Sequence, residues 1–370
     1  VDTKRTTIFS TVGILAAGAI VVFIVLRPST QIQPSSAGQQ GISEPAAAAQ
    51  SVPTRETAHA KDGSTQATAP EAQSPQALAE YIRRFAASGG DANELYRKLA
   101  TLRLQEQPWW RSGDGVSALL DLALEPRLGE DHRVIAVGLY LSAAPRAQIH
   151  ANSATVQHLA IESTDKMASA VLQGMADRSV APAALIKEIL TSEARGTGAK
   201  CYAWYAARLT QKSVPEFADV ALASSESGMT EASKVAFDYL ANGSFSGQYV
   251  ENSEFRQKTD ALITAVQSLP PDADPIGLAN GDAFIRALPH ITPTDAAINS
   301  LFSLVQEAQN SEMRLSAIEQ LVAIHLSGAQ DLSQELHEVR NSISTLFSDP
   351  VKQDRAKLRL NRIQTQGKSK

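Results

Sequence analysis

HRVIAVGLYL (132–141), DKMASAVLQGM (165–175), AKCYAWYAARL (199–209) and SKVAFDYLA (233–241) are four apolar stretches, each with a basic residue near its start. Those residues, Arg133, Lys166, Lys200 and Lys234, stand 33, 34 and 34 positions apart. A steady period of this length is the mark of stacked helix pairs, none of which can bury its apolar face alone. Pro182 and Pro215, 33 apart, fall where the second helix of consecutive units would begin, the position that proline prefers. A later stretch, MRLSAIEQLVAIHL (313–326), has the same form. Its Arg314 lies 80 residues beyond Lys234, which leaves room for two longer units. Amphipathic helices also recur near this spacing by chance, but the evenness of the intervals favours a repeat. The repeat predicts that Ala136, Ala203 and Ala236 let neighbouring backbones approach. Leu139, Leu172, Trp204 and Phe237 are then expected to fill the seam.

Outward from this core the same pattern continues. Leu78, Tyr81, Ile82 and Phe85 follow helical spacing before Gly89-Gly90, and Leu95, Leu99 and Leu102 take it up again. Pro293 stands where a helix should start, and Asn242-Gly243 and Gly328 where helices should stop. No alternating run of β-branched residues is long enough for a strand. The fold expected for residues 77–349 is therefore all-α, an α-solenoid of stacked helix pairs.

The stretches at Arg133 and Arg314 resemble the second helices of HEAT-type repeats, with Arg133/Ala136 and Arg314/Ala317 at matching positions. The 34-residue period is similar to that of tetratricopeptide repeats, although their Trp, Leu-Gly and Tyr signature is missing. The resemblance covers residues 115 to 347 and is generic. It implies an α-solenoid, and such solenoids commonly offer a concave surface to a protein partner.

Upstream, residues 28–76 hold six Pro, seven Ser, eight Gln and ten Ala without an aromatic residue. Such a segment has nothing to offset the entropy of ordering, and it is expected to be a disordered linker. Before it, IFSTVGILAAGAIVVFIVL (8–26) runs without a charge, and as a helix it spans roughly 28 Å. Leu26 is followed by Arg27, Pro28 and Ser29 rather than by a small-x-small cleavage site. Residues 1–27 thus read as a cytoplasmic tip and a single transmembrane anchor. Lys4 and Arg5 precede the apolar run, and Arg27 is the only basic residue after it until Arg55. The positive-inside bias puts the N-terminal side in the cytoplasm and the helical domain outside it, periplasmic in a Gram-negative bacterium.

Charge narrows the partners. Residues 28–350 carry 24 Lys/Arg against 37 Asp/Glu, and an acidic body argues against nucleic acid. The basic tail, 350–370, is the exception. Lys352, Arg355, Lys357, Arg359 and Arg362, with Leu358, Leu360 and Ile363 among them, could hold anionic lipid, an envelope polymer or an acidic partner. The reading favoured over this is a terminal helix whose cationic end suits the macrodipole, followed by a frayed tail. Trp109, Trp110 and Arg111 are the other binding candidates, as a stacking platform for a sugar, peptide or headgroup. The commoner role of such a pair is to plug a helix junction.

Catalytic signals are weak. His132 follows Glu130-Asp131, but adjacent helical residues diverge, and this reads better as an acidic helix start. Asp272 and Asp274 lack the ligand count of a calcium loop. Lone Cys201 allows no internal disulfide, and no cysteine–histidine spacing suggests zinc. No cofactor or metal is expected. The function expected is that of a membrane-anchored, non-enzymatic scaffold or adaptor of the cell envelope, binding a protein through its helical repeats. A structural subunit of a larger membrane complex, or a cell-wall enzyme of unrecognised class, is the alternative.

Overall fold

A computed structural model describes residues 69–224 and 230–366, and these are helical without a strand among them. The apolar stretch 8–26 and most of the linker lie outside the described residues. Among the described residues no helix is long and apolar enough to cross a membrane. The chain divides into two compact units between Gly115 and Val116.

In the first unit, a 3-10 turn (Pro70–Ala72) precedes α1 (Pro75–Ala87), α2 (Ala92–Thr101) and the short α3 (Pro108–Ser112). Leu78, Ile82, Leu95 and Leu99 are buried as the spacing requires, while Tyr81 and Phe85 are half-buried. Ser74 caps α1 through the Ala77 amide, and Asp91 caps α2. The sequence places 70–76 in the linker, but the structure gives them to the helical unit. The reason is that Ala72 is fully buried, although its Ala/Pro/Gln surroundings match the composition upstream.

The second unit alternates return helices and row helices. It opens with α4 (Ser117–Ala123), α5 (Glu130–Ala143), α6 (Ser153–Glu162), α7 (Asp165–Asp177), α8 (Ala183–Thr191) and α9 (Thr197–Thr210). It continues with α10 (Pro215–Ala223), α11 (Glu231–Leu240), α12 (Ser253–Gln267) and α13 (Pro275–Ile291). It ends with α14 (Thr294–Glu307), α15 (Ser311–Ser327), α16 (Ser333–Asn341) and α17 (Pro350–Gln366). The odd-numbered helices from α5 to α17 pack each on the next, in one row. Pro215 opens α10, and Pro182 and Pro293 immediately precede α8 and α14. Gly328, at φ 76°, ends α15. Asp274 caps α13 through the Gly277 amide, which gives the PPDADP turn a structural purpose.

Hydrogen bonds fix the direction of the row. At its leading edge, Lys166 pairs with Asp131, and the Gly196 amide donates to Asp165 at 2.7 Å. At its trailing edge, Arg178 donates to the Ala144 carbonyl at 2.7 Å and Tyr239 to the Gln211 carbonyl at 2.9 Å. Starts meet starts and ends meet ends, so the row helices run parallel. Between Lys234 and Arg314 the structure holds two longer units, one of them ending in α13 and the next in α15. The second unit is thus solenoid-like, with the helices of Arg133, Lys166, Lys200 and Lys234 as consecutive members of the row.

The seam is made of the residues that the repeat implies. Ala136, Ala203, Ala236, Leu172 and Phe237 are fully buried, and Trp204 and Leu139 nearly so. Gly174 is obligatory for the approach of α7 to α5, because a β-carbon there would lie 2.7 Å from Leu141 Cδ1. The basic tail is also part of this architecture. Residues 350–366 form the last row helix, with Ala356 and Leu360 buried against the unit.

Phe237 meets Phe284 of α13 edge-on, with centroids 5.4 Å apart. Phe237→Ala should therefore cost about 3–5 kcal/mol. Urea unfolding is the measurement, and a loss under about 1 kcal/mol would contradict this packing.

Candidate partner-binding surface

The tryptophan pair separates into two roles. Trp109 is buried in the first unit, and its indole N–H donates to the Ala72 carbonyl at 2.8 Å. This bond fastens the 3-10 turn to α3. Trp110 is half-buried and meets Trp109 edge-on at 5.5 Å, while Arg111 is exposed. The pair is thus a helix-junction plug, leaving Trp110 and Arg111 at the surface.

The basic residues of α17 are directed chiefly at the preceding row helix. Lys352 lies 3.7 Å and Arg355 2.9 Å from the same Glu312 carboxylate oxygen. Arg359 and Arg362 lie 3.0 and 3.7 Å from Glu319, and Lys357 lies 3.5 Å from Asp354 on its own helix. Anchoring α17 on α15 is what this charge does within the chain. Val351 and Leu358, 66% and 67% exposed, are left on its outer side.

A different surface arises at the centre of the row. α9 is alanine-rich on its inner faces, where Ala199, Ala203, Ala206 and Ala207 are buried. Its outer face carries Tyr202 and Tyr205, both half-buried, and Leu209, 40% exposed. Tyr205 donates to the Asp177 carboxylate at the end of α7 at 2.9 Å. Burial, and that hydrogen bond to Asp177, push the Tyr205 phenol up to about 12. Burial also raises Asp177 above the usual carboxylate range, against the lowering effect of the tyrosine bond. The Arg208 guanidinium lies 5.7 Å from the Tyr205 ring centroid. Two tyrosines, an exposed leucine and an arginine on adjoining turns form the mixture found at the centres of protein interfaces. The sequence carried the signal in AKCYAWYAARL, where Tyr202, Tyr205 and Leu209 share the helix face that the alanines avoid. Trp204 belongs to the seam and draws attention from its neighbours.

Compared with protein-family models, curated proteins and solved structures, the chain matches none. The remaining sequence candidates have structural places. His132 lies on the first turn of α5, and among the described residues no group of three or more His, Cys, Asp or Glu could hold a metal ion. Cys201 is half-buried beside Glu231 and Lys234, and burial chiefly raises its thiol to about 11.

Two outcomes follow for these residues. Trp109→Phe keeps the ring but leaves the Ala72 carbonyl without its donor, which should cost about 1–3 kcal/mol in urea unfolding. Trp110→Ala should cost less. Cys201 should react with iodoacetamide at pH 8 about a hundredfold more slowly than an unperturbed thiol, two pH units being a hundredfold in thiolate. Alkylation at the rate of a free thiol would contradict the burial.

Proposed function

We propose that this chain is a membrane-anchored, non-enzymatic scaffold of the cell envelope that binds a protein partner across the row of parallel helices. The observation that carries the reading is the row itself. Consecutive helices packed in parallel bring their outer residues onto one continuous surface, as repeat proteins do when they bind partners. Tyr202, Tyr205, Arg208 and Leu209 stand near its middle, where a few large side chains would supply most of the affinity. The aromatic rings supply contact area at small entropic cost, having few rotatable bonds. The membrane component of the proposal rests on the uncharged stretch 8–26 and on the basic residues that flank it. With the anchor in the bilayer and the long linker between, the surface would meet partners outside the cytoplasm.

Site-specific photo-crosslinking in the chain's own cells tests the proposal. A photoreactive phenylalanine at position 202 should give a discrete adduct with one other protein, and the same residue at Glu216 on α10 should not. Tyr205→Ala combined with Leu209→Ala should weaken that adduct by about tenfold or more. Absence of any protein adduct at 202, with the chain folded and abundant, would end the row-face reading.

A further inference from the structure

The return layer of the second unit holds a second feature. Its helices pack side by side from α6 to α14, but between α14 and α16 a groove of about 470 Å³ opens. Val305 from α14 and Val339 from α16, both buried, give it an apolar floor, with the polar Gln306, Ser342 and Thr345 also in its lining. Phe302 and Leu346 stand half-buried along its sides. Arg314 holds one end of the groove rigid: its Nε donates to the Ala308 carbonyl after α14 at 2.6 Å, and its guanidinium also donates to the Leu346 carbonyl. The groove is thus braced by a side chain from the row layer beneath it.

The rim is acidic. Glu335 and Glu338, one helical turn apart on α16, line the groove, and no Lys or Arg does. Both are exposed. Among the described residues neither forms an ion pair, and the Glu338 carboxylate accepts a long bond of 3.4 Å from Gln334. We propose that this groove docks an amphipathic helix of another protein, with a large apolar anchor flanked by Lys or Arg one turn apart. The apolar floor receives the anchor, and the two carboxylates receive the cations, the helix-in-groove mode of recognition. A phosphate-bearing surface is excluded by the sign of the rim. The chain's own α17 has the right composition, but its cations are already paired with Glu312, Glu319 and Asp354. Docking of that helix from a second copy would have to break these pairs.

The test uses the full chain and two fluorescent synthetic peptides, one of Leu and Lys at helical spacing and one with every Lys replaced by Glu. The Leu/Lys peptide should bind and the Leu/Glu peptide should not. Glu335→Lys with Glu338→Lys, both on the surface, should weaken binding by about tenfold or more. Phe302→Ala should do the same, while Glu188→Lys with Glu216→Lys, an equal charge change elsewhere in the return layer, should leave it within about twofold. The proposal is overturned if the two double variants weaken binding equally, since attraction to overall negative charge would then explain it. It is also overturned if the Leu/Lys peptide does not bind, or if the groove variants instead disperse a dimer of this chain. This groove stands apart from Tyr202 and Tyr205, so peptide titration and photo-crosslinking fail independently.

Discussion

Close approach of parallel helices is the constraint on which the second unit rests. Helices that cross solvent-exposed can tolerate bulky neighbours, but a row helix is hemmed in on both sides and from behind. Small residues must therefore occur wherever two backbones come nearest. Ala136, Ala203 and Ala236 meet that need, and Gly174 admits Leu141 where even a methyl group would collide. Gly281 does the same for Met313 at the α13–α15 contact, where a β-carbon would lie 2.4 Å from the sulfur. Large residues then fill what the small ones leave, so Trp204, Tyr239 and Phe217 share one aromatic cluster between the layers. Alternation of small and large is how a dense interior is reached without strain.

Polar bonds settle the register that packing alone leaves loose. An apolar seam would tolerate a slide of one helix along another by a turn. Arg178 reaches the carbonyl of Ala144, and Asn280 that of Thr230 at 3.0 Å, both at the ends of row helices. Arg286 bridges Asp238 on the previous row helix and Asp282 on its own. Half-exposed pairs of this kind contribute little stability each, yet they distinguish the observed alignment from its neighbours. Arg133 and Arg314, matched in the sequence as HEAT-like, also share a geometry. Each Nε donates to a carbonyl at the end of the preceding return helix, Ala123 at 2.7 Å and Ala308 at 2.6 Å.

The repeat was legible because spacing is a one-dimensional property, and basic residues at 133, 166, 200 and 234 mark it directly. Seam residues were legible for the same reason. The surface was not. The shared face of Tyr202, Tyr205 and Leu209 follows from their spacing, but only the position of α7, whose Asp177 accepts from Tyr205, shows where on the unit that face lies. The α14–α16 groove depends on how far two helices stand apart, which no periodicity encodes. The helix of the tail was legible, but its ion pairs were not: Lys352, Arg355, Arg359 and Arg362 meet Glu312 and Glu319 some forty residues away in sequence. Composition likewise hid the start of the first unit, since a buried Ala72 differs in nothing but its surroundings from the alanines before it.

The order of contacts along the row bears on how the chain reaches its structure. Within the row, each helix packs on the one before and the one after, and the bond from Asn280 to the Thr230 carbonyl spans 50 residues of sequence. The cost of closing a loop grows only with the logarithm of its length and is met afresh at each repeat. No step requires distant ends of the chain to find one another, and topologies of this kind fold quickly. A nascent chain leaving the ribosome completes α5 before α7, and α7 before α9. Every new row helix therefore emerges next to a finished surface shaped to receive it, and assembly proceeds in the direction of synthesis.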